Sequence, residues 1–222
     1  IYGLAIDIGT TTVAADLVDM KSGKAILSSS DINPQKKFGL DLLTRITYAL
    51  ENEEQAVKNL QHEIVNLINK MTFEMCMSAN INKERIYEVS VAANTTMLHF
   101  LLGIKSNSIG KSPYAPAFVK SKYIKASSIG ININSNGKLY CLPGVSSYIG
   151  SDIVAGAFVA KLHDSKDNIL FIDIGTNGEI VLASKGKLLS CSCAAGPALE
   201  GMNISCGMRA ATGAIEDMVI DK

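Results

Sequence analysis

The chain writes nearly the same segment twice. Near its start it reads Ala5-Ile6-Asp7-Ile8-Gly9-Thr10-Thr11-Thr12, and far downstream Phe171-Ile172-Asp173-Ile174-Gly175-Thr176-Asn177-Gly178. Each copy is an apolar run carrying a carboxylate, then a glycine, then small polar residues. Each is followed by a second run of strand character, Val13 to Val18 or Glu179 to Ala183. A Lys-Gly turn comes next, Lys21-Ser22-Gly23-Lys24 or Lys185-Gly186-Lys187, and then a third apolar run. A duplicated β-meander with matching turns points to two lobes of like construction.

The residue types suggest what such lobes hold. β-Branched Ile6 and Ile8 on either side of Asp7 suit a buried strand. A glycine lets the backbone approach a ligand closely. Successive N–H groups in such a turn form a concave anion site, and the threonine hydroxyls add donors. Asp7 and Asp173 would repel phosphate unless a divalent cation lay between. Magnesium, usually held by one or two carboxylates plus substrate phosphates and water, resolves that conflict. Asp-x-Gly-Thr is also ordinary strand-turn-strand chemistry; the duplication favours the phosphate reading. No P-loop pattern and no Gly-x-Gly-x-x-Gly opening a helix is present.

Between the copies, Phe38, Leu40, Leu42, Leu43, Ile46 and Leu50 suit a helix entered from a loop. Val57, Leu60, Ile64, Leu67, Ile68, Met71 and Met75 recur at helical spacing, predicting an amphipathic helix over Glu54 to Ala79 with its Met-rich end in the core. Ile86 to Ala93 reads as a buried strand. Asn94-Thr95-Thr96 follows it and precedes the apolar run Met97 to Leu102, where a helix N-cap belongs. Asn94 is either that cap or a donor lining a cleft beside Asp7. His99 lies inside the apolar run and is expected to be packed. Ser106 to Leu142 predicts inserted β-structure with loops. Ser151 or Asp152 caps a helix over Ile153 to Leu162. Gly196-Pro197-Ala198-Leu199-Glu200-Gly201 opens a further helix, and its glycines and amide ends favour ribose or phosphate.

At 222 residues and 47% hydrophobic, the chain can bury a substantial core as one large domain or two small ones. Its apolar runs are too short and too charged for a membrane span, and its first residues do not resemble a secretory signal. A net charge of zero gives no electrostatic argument for nucleic acid or an anionic membrane. The five cysteines, Cys76, Cys141, Cys191, Cys193 and Cys206, are an odd count that suits reduced thiols and a cytoplasmic setting. Cys191 and Cys193 share a strand face. Cluster spacings are absent, and these cysteines are expected to be small buried residues.

The paired aspartate–glycine motifs resemble the ASKHA superfamily of acetate and sugar kinases, chaperone ATPases and actin. Within it the chain is similar to the ATPase region of reductive activators of corrinoid proteins. The narrower likeness rests on Val91-Ala92-Ala93-Asn94-Thr95-Thr96-Met97-Leu98-His99, Ile149-Gly150-Ser151-Asp152-Ile153-Val154-Ala155-Gly156, the Gly196 to Gly201 string, and Asn33-Pro34-Gln35 with Phe38-Gly39-Leu40-Asp41. The resemblance implies an α/β, RNase H-like lobe over 1–165 with a mixed five-stranded sheet and flanking helices. Residues 166–222 would begin a second, similar lobe.

It further implies ATP and Mg²⁺ as cofactors, with Asp7 and Asp173 holding the metal. Gly9, Thr10, Thr11, Thr12, Asn94, Gly175, Thr176, Asn177, Gly178, Gly196, Pro197, Glu200 and Gly201 would bind nucleotide, and Asp152 would position the attacking water. The implied partner is a corrinoid protein or corrinoid iron–sulfur protein, and a homodimer stands as an open expectation. The [2Fe–2S] segment such activators carry is expected outside this chain, which starts at the first phosphate strand, and the second lobe is expected to be truncated. ATP affinity of this segment alone should then be weak. A small-molecule kinase of the same superfamily, recognised by phosphate transfer to acetate or a sugar, is the alternative. So is a regulatory domain that binds nucleotide without turnover.

Overall fold

A strict in–out alternation builds the first strand: in β1 (Tyr2–Ile8), Leu4, Ile6 and Ile8 are buried, whereas Ala5 and Asp7 are exposed. The computed structural model describes residues 1–51, 53–175 and 177–194. β1 pairs antiparallel with β2 (Thr12–Asp19), which pairs antiparallel with β3 (Lys24–Ile32). β4 (Ile86–Ala93) lies on the other side of β1 and runs parallel to it. β5 (Lys122–Lys125) and β6 (Lys138–Cys141) pair antiparallel, and β6 lies parallel to β4. The sheet order is β3-β2-β1-β4-β6-β5, a meander followed by parallel strands, which is the RNase H-like arrangement.

The sheet has six strands where five are expected. The addition is β5, only four residues long and bounded by Lys122 and Lys125. A strand that short carries almost no periodic signal, and charges at an edge are the usual guard against further pairing.

Besides three short 3-10 helices, the described residues form five α-helices: α1 (Leu42–Glu51), α2 (Glu53–Ala79), α3 (Thr95–Leu101), the single turn α4 (Asn107–Gly110) and α5 (Ser151–Val159). All seven residues of the predicted α2 stripe, Val57 through Met75, are buried. They join Ile6, Ile8, Val13, Leu17, Val89 and Val91 of the sheet and Leu98 and Leu101 of α3 in one core. Met71 and Met75 are core residues, and Met77 is exposed. His99 is buried as expected. Its Nδ1–H donates to Thr95 O (2.7 Å), Nε2 accepts from Ala117 N–H (3.1 Å), and its ring stacks on Phe118. No helix among the described residues is long and apolar enough to cross a membrane.

The chain divides into two compact units, Ile1–Phe158 and Val159–Lys222. In the second, β7 (Ile169–Ile174), β8 (Asn177–Ser184) and β9 (Lys187–Ala194) form an antiparallel meander. Lys185 and Gly186 join β8 to β9 with φ of 50° and 72°, the two positive values that a two-residue type I′ hairpin demands.

Candidate functional site

The turn between β1 and β2 is built around one glycine. Gly9 N–H donates to Thr12 O (2.9 Å). A Cβ on Gly9 would stand 2.7 Å from that same oxygen, so only glycine lets the hairpin close this tightly. The three carbonyls that follow are taken up from inside the unit. Asn33 Nδ2 donates to Gly9 O, Arg45 Nη2 to Thr10 O, and Asn33 N–H to Thr11 O, each at 2.8 Å. A trans peptide holds its C=O and N–H on opposite sides. The N–H groups of Thr10, Thr11 and Thr12 therefore face away from Asn33 and Arg45. Beside them, Asp7 is exposed and its cross-strand partners are Ala14 on β2 and Ala92 on β4, so small side chains flank its carboxylate.

The parallel partner of β1 brings two more predicted residues to the same end of the sheet. Ile8 pairs with Ala93, and Asn94 follows at once. Asn94 is the helix cap, and its amide also reaches the Gly9 turn. Its Oδ1 caps α3 by accepting from Met97 N–H (3.0 Å), and its Nδ2 donates to Thr10 Oγ1 (3.3 Å). Ser151 does not use its hydroxyl as a helix cap. The Oγ is buried, accepts from Ala93 N–H (2.9 Å) and donates to Ala93 O (3.0 Å), fastening the start of α5 to the end of β4. Gly150 fits against this joint so closely that a Cβ would lie 2.5 Å from Asn94 Cα and 2.6 Å from Asp152 Oδ1. Asp152 is in the first turn of α5 and accepts from Ile153 N–H (2.8 Å). Gly9, Thr10, Thr11, Thr12, Asn94 and Asp152 are thus clustered at the C-terminal ends of β1 and β4, the edge at which open α/β sheets bind ligands.

The second hairpin repeats the first with one residue fewer. Gly175 N–H donates to Asn177 O (3.0 Å), two positions on rather than three. Among the described residues, a Cβ on Gly175 would meet nothing closer than that oxygen, at 3.7 Å. Asp173 is exposed and pairs with Glu179, whose carboxylate accepts from Ser192 Oγ. Gly178 is buried opposite Ile174. Thr176, Gly196, Pro197, Glu200 and Gly201 lie outside the described residues, as does Cys206.

The cysteine expectation needs correction. Cys76 and Cys141 are buried free thiols, and burial pushes Cys141 up to about 12. Cys191 and Cys193 are free but exposed. Their shared face of the second sheet also carries exposed Leu170, Ile172, Ile174 and Leu189. The spacing fixed a common face and could not tell whether that face is covered.

Arg45, Asn33 and Ser151 were the residues whose roles sequence reasoning missed. Arg45 is fully buried, donating also from Nε to Gly39 O (2.8 Å) and lying 3.7 Å from Met97 Sδ through Nη1. Burial pulls its pKa down to about 10, against an opposing pull from Asp41. The available signal was its place in the stripe Leu42, Ile46, Ala49 of α1, a core position for an aliphatic residue. Among the described residues no three His, Cys, Asp or Glu gather to hold a metal. One accessible carboxylate beside outward N–H and hydroxyl donors suits a hydrated magnesium shared with phosphate, not an all-protein cage.

An RNase H-like lobe with such a turn at its strand ends defines a domain of the ASKHA type, and an ASKHA domain implies nucleotide binding. The chain belongs to the RACo family: residues 2–165 match the family described as the RACo middle region, and residues 167–222 match the C-terminal domain of RACo, the ASKHA domain. It is 35% identical over 216 residues to the corrinoid activation enzyme RamQ of Eubacterium limosum, covering 97% of this chain and 36% of that protein. It is 26% identical over 227 residues to the [Co(II) methylated amine-specific corrinoid protein] reductase of Methanosarcina barkeri, covering 98% and 40%. A solved reductive activator for corrinoid, iron–sulfur protein superposes with a TM-score of 0.88 at 42% identity, over 95% of this chain and 33% of its own. The chain thus spans about a third of the length of these relatives.

Proposed function

We propose that this chain is the nucleotide-handling part of a reductive activator, in which ATP hydrolysis drives a conformational change that assists low-potential electron transfer to a corrinoid protein. The observation that carries the reading is the Gly9 turn, with its N–H groups directed outward, in a chain of the RACo family. Bound Mg²⁺ would neutralise phosphate charge. The remaining roles fall to side chains and backbone of this chain. Asp7 in the first unit and Asp173 in the second are the carboxylates that would hold hydrated metal. Gly9 to Thr12 and Gly175 to Gly178 would each bind phosphate, Asn94 would orient Thr10, and Gly196, Pro197, Glu200 and Gly201 would bind the nucleoside. Asp152, at the mouth of α5, orients the attacking water for in-line displacement. The [2Fe–2S] cluster belongs to a segment outside this chain, and the partner is a corrinoid protein of the kind the relatives are named for.

The test uses the full-length protein, following ATP turnover together with the optical change of the partner's cobalt(II) on reduction. Asp7→Ala and Asp173→Ala should each abolish hydrolysis with far-UV circular dichroism unchanged, because a metal-bound carboxylate stabilises charge in the transition state. Asp152→Ala should lower turnover and leave ATP affinity intact. Full turnover in Asp7→Ala, or faster phosphate transfer to acetate or a sugar than to water, would overturn the proposal.

A further inference from the structure

The Gly9 turn is held open by a charge on its inner side. Arg45 is fully buried. Among the described residues its hydrogen-bond partners are Gly39 O, Thr10 O and Met97 Sδ, and none is a carboxylate. Asp41, the acid that acts on it through space, is exposed and engaged with Thr44. A guanidinium sealed inside a core with no ion-pair partner among the described residues is costly, and anchoring two backbone carbonyls would not by itself require a charge. Thr10 C=O, which Arg45 holds, shares its peptide with Thr11 N–H. A cation on the carbonyl side polarises that N–H and turns it toward the opposite side. Asn33 does the same for the flanking peptides through Gly9 O and Thr11 O. Met97 ties the two together, its sulfur lying 3.6 Å from Asn33 Nδ2 and 3.7 Å from Arg45 Nη1.

We infer that Arg45 and Asn33 are a positioning pair that fixes three consecutive N–H groups, those of Thr10, Thr11 and Thr12, toward a bound phosphate, whose negative charge offsets the buried charge of Arg45 across the turn. The inference rests on the phosphate role assigned to the Gly9 turn and adds residues that never touch the nucleotide. It also makes the site selective for phosphate over nucleoside, because the effect travels only through the turn.

The experiment is calorimetry on the full-length protein with adenosine, Mg-ADP and Mg-ATP as probes. Arg45→Met should weaken ATP roughly 10- to 100-fold, the loss that follows from misplacing a binding group by about an ångström, and leave adenosine unchanged. Arg45→Lys, which keeps the charge and one donor, should recover part of the ATP affinity. Asn33→Asp, nearly isosteric but placing a carboxylate against Gly9 O, should show the same phosphate-selective loss. If Arg45→Met does not accumulate as folded protein, the lysine and aspartate variants carry the test by the same comparison. Unchanged ATP affinity in these variants, or a loss shared equally by adenosine, would overturn the inference. Equal binding of adenosine and ATP by the unsubstituted protein would instead remove the phosphate reading itself, before Arg45 is reached.

Discussion

Gly9 and Gly175 occupy the same place in the two copies of the motif, yet a methyl group should affect them unequally. At Gly9 the new Cβ would lie 2.7 Å from Thr12 O. That carbonyl cannot simply retreat, since it accepts Gly9 N–H at 2.9 Å and continues into β2. Relief needs a shift of about half an ångström in the turn. Overpacking of that kind costs about 1–3 kcal/mol, and weakening the closing hydrogen bond adds about 1 kcal/mol. Gly9→Ala should therefore destabilise the first unit by about 2–4 kcal/mol. At Gly175 the nearest atom among the described residues is at 3.7 Å, an ordinary contact. Gly175→Ala should fall within about 0.5 kcal/mol of neutral, with a small gain available from the stiffer unfolded chain. Urea denaturation gives the midpoints, and native-state hydrogen exchange assigns each loss to β1–β2 or β7–β8 amides. Equal losses at the two glycines, or a larger one at Gly175, would refute the reasoning.

Two further outcomes follow from buried polar groups. Burial outweighs the hydrogen bond to Thr95 and holds His99 below its ordinary 6.5, so the folded protein keeps the ring neutral where the unfolded chain takes up a proton. That contribution is complete above the unfolded value and is lost as the pH falls from it through the lower folded value. His99→Gln should flatten the decline in Tm on the acid side of about pH 6.5, as read by a thermal melt series. Ser151→Ala strips the partner from both the N–H and the C=O of Ala93 and should cost about 2–4 kcal/mol, measured as a shift in the urea midpoint.

Most of the first unit was legible because its elements are long and periodic. α2 buries each residue its spacing selects, and β4 runs over the predicted Ile86 to Ala93. The short β5 was not, since four residues give no period. Around the candidate site, the sequence named the groups that face outward, Asp7, Gly9 to Thr12, Asn94 and Asp152. It did not reveal the groups that hold them. Arg45 looks like the margin of an amphipathic helix until its neighbours are known, and Asn33 looks like a turn residue ahead of Pro34. Their function lies in which carbonyls they reach across 35 and 24 positions of chain, a fact of tertiary structure alone. Cys191 and Cys193 make the same point in reverse: a repeat of two tells which residues travel together, and only packing tells what meets them.

The joint at Ser151 has a mechanical corollary. Its hydroxyl bonds both the N–H and the C=O of Ala93, Gly150 leaves no slack against Asn94, and Asn94 in turn donates to Thr10. Strand end, side chain and helix start therefore move as one rivet, with no loop between them to absorb strain. Whatever nudges Thr10 is delivered to the first turn of α5 as a push rather than dissipated as wobble, so this helix is geared to the turn from the outset.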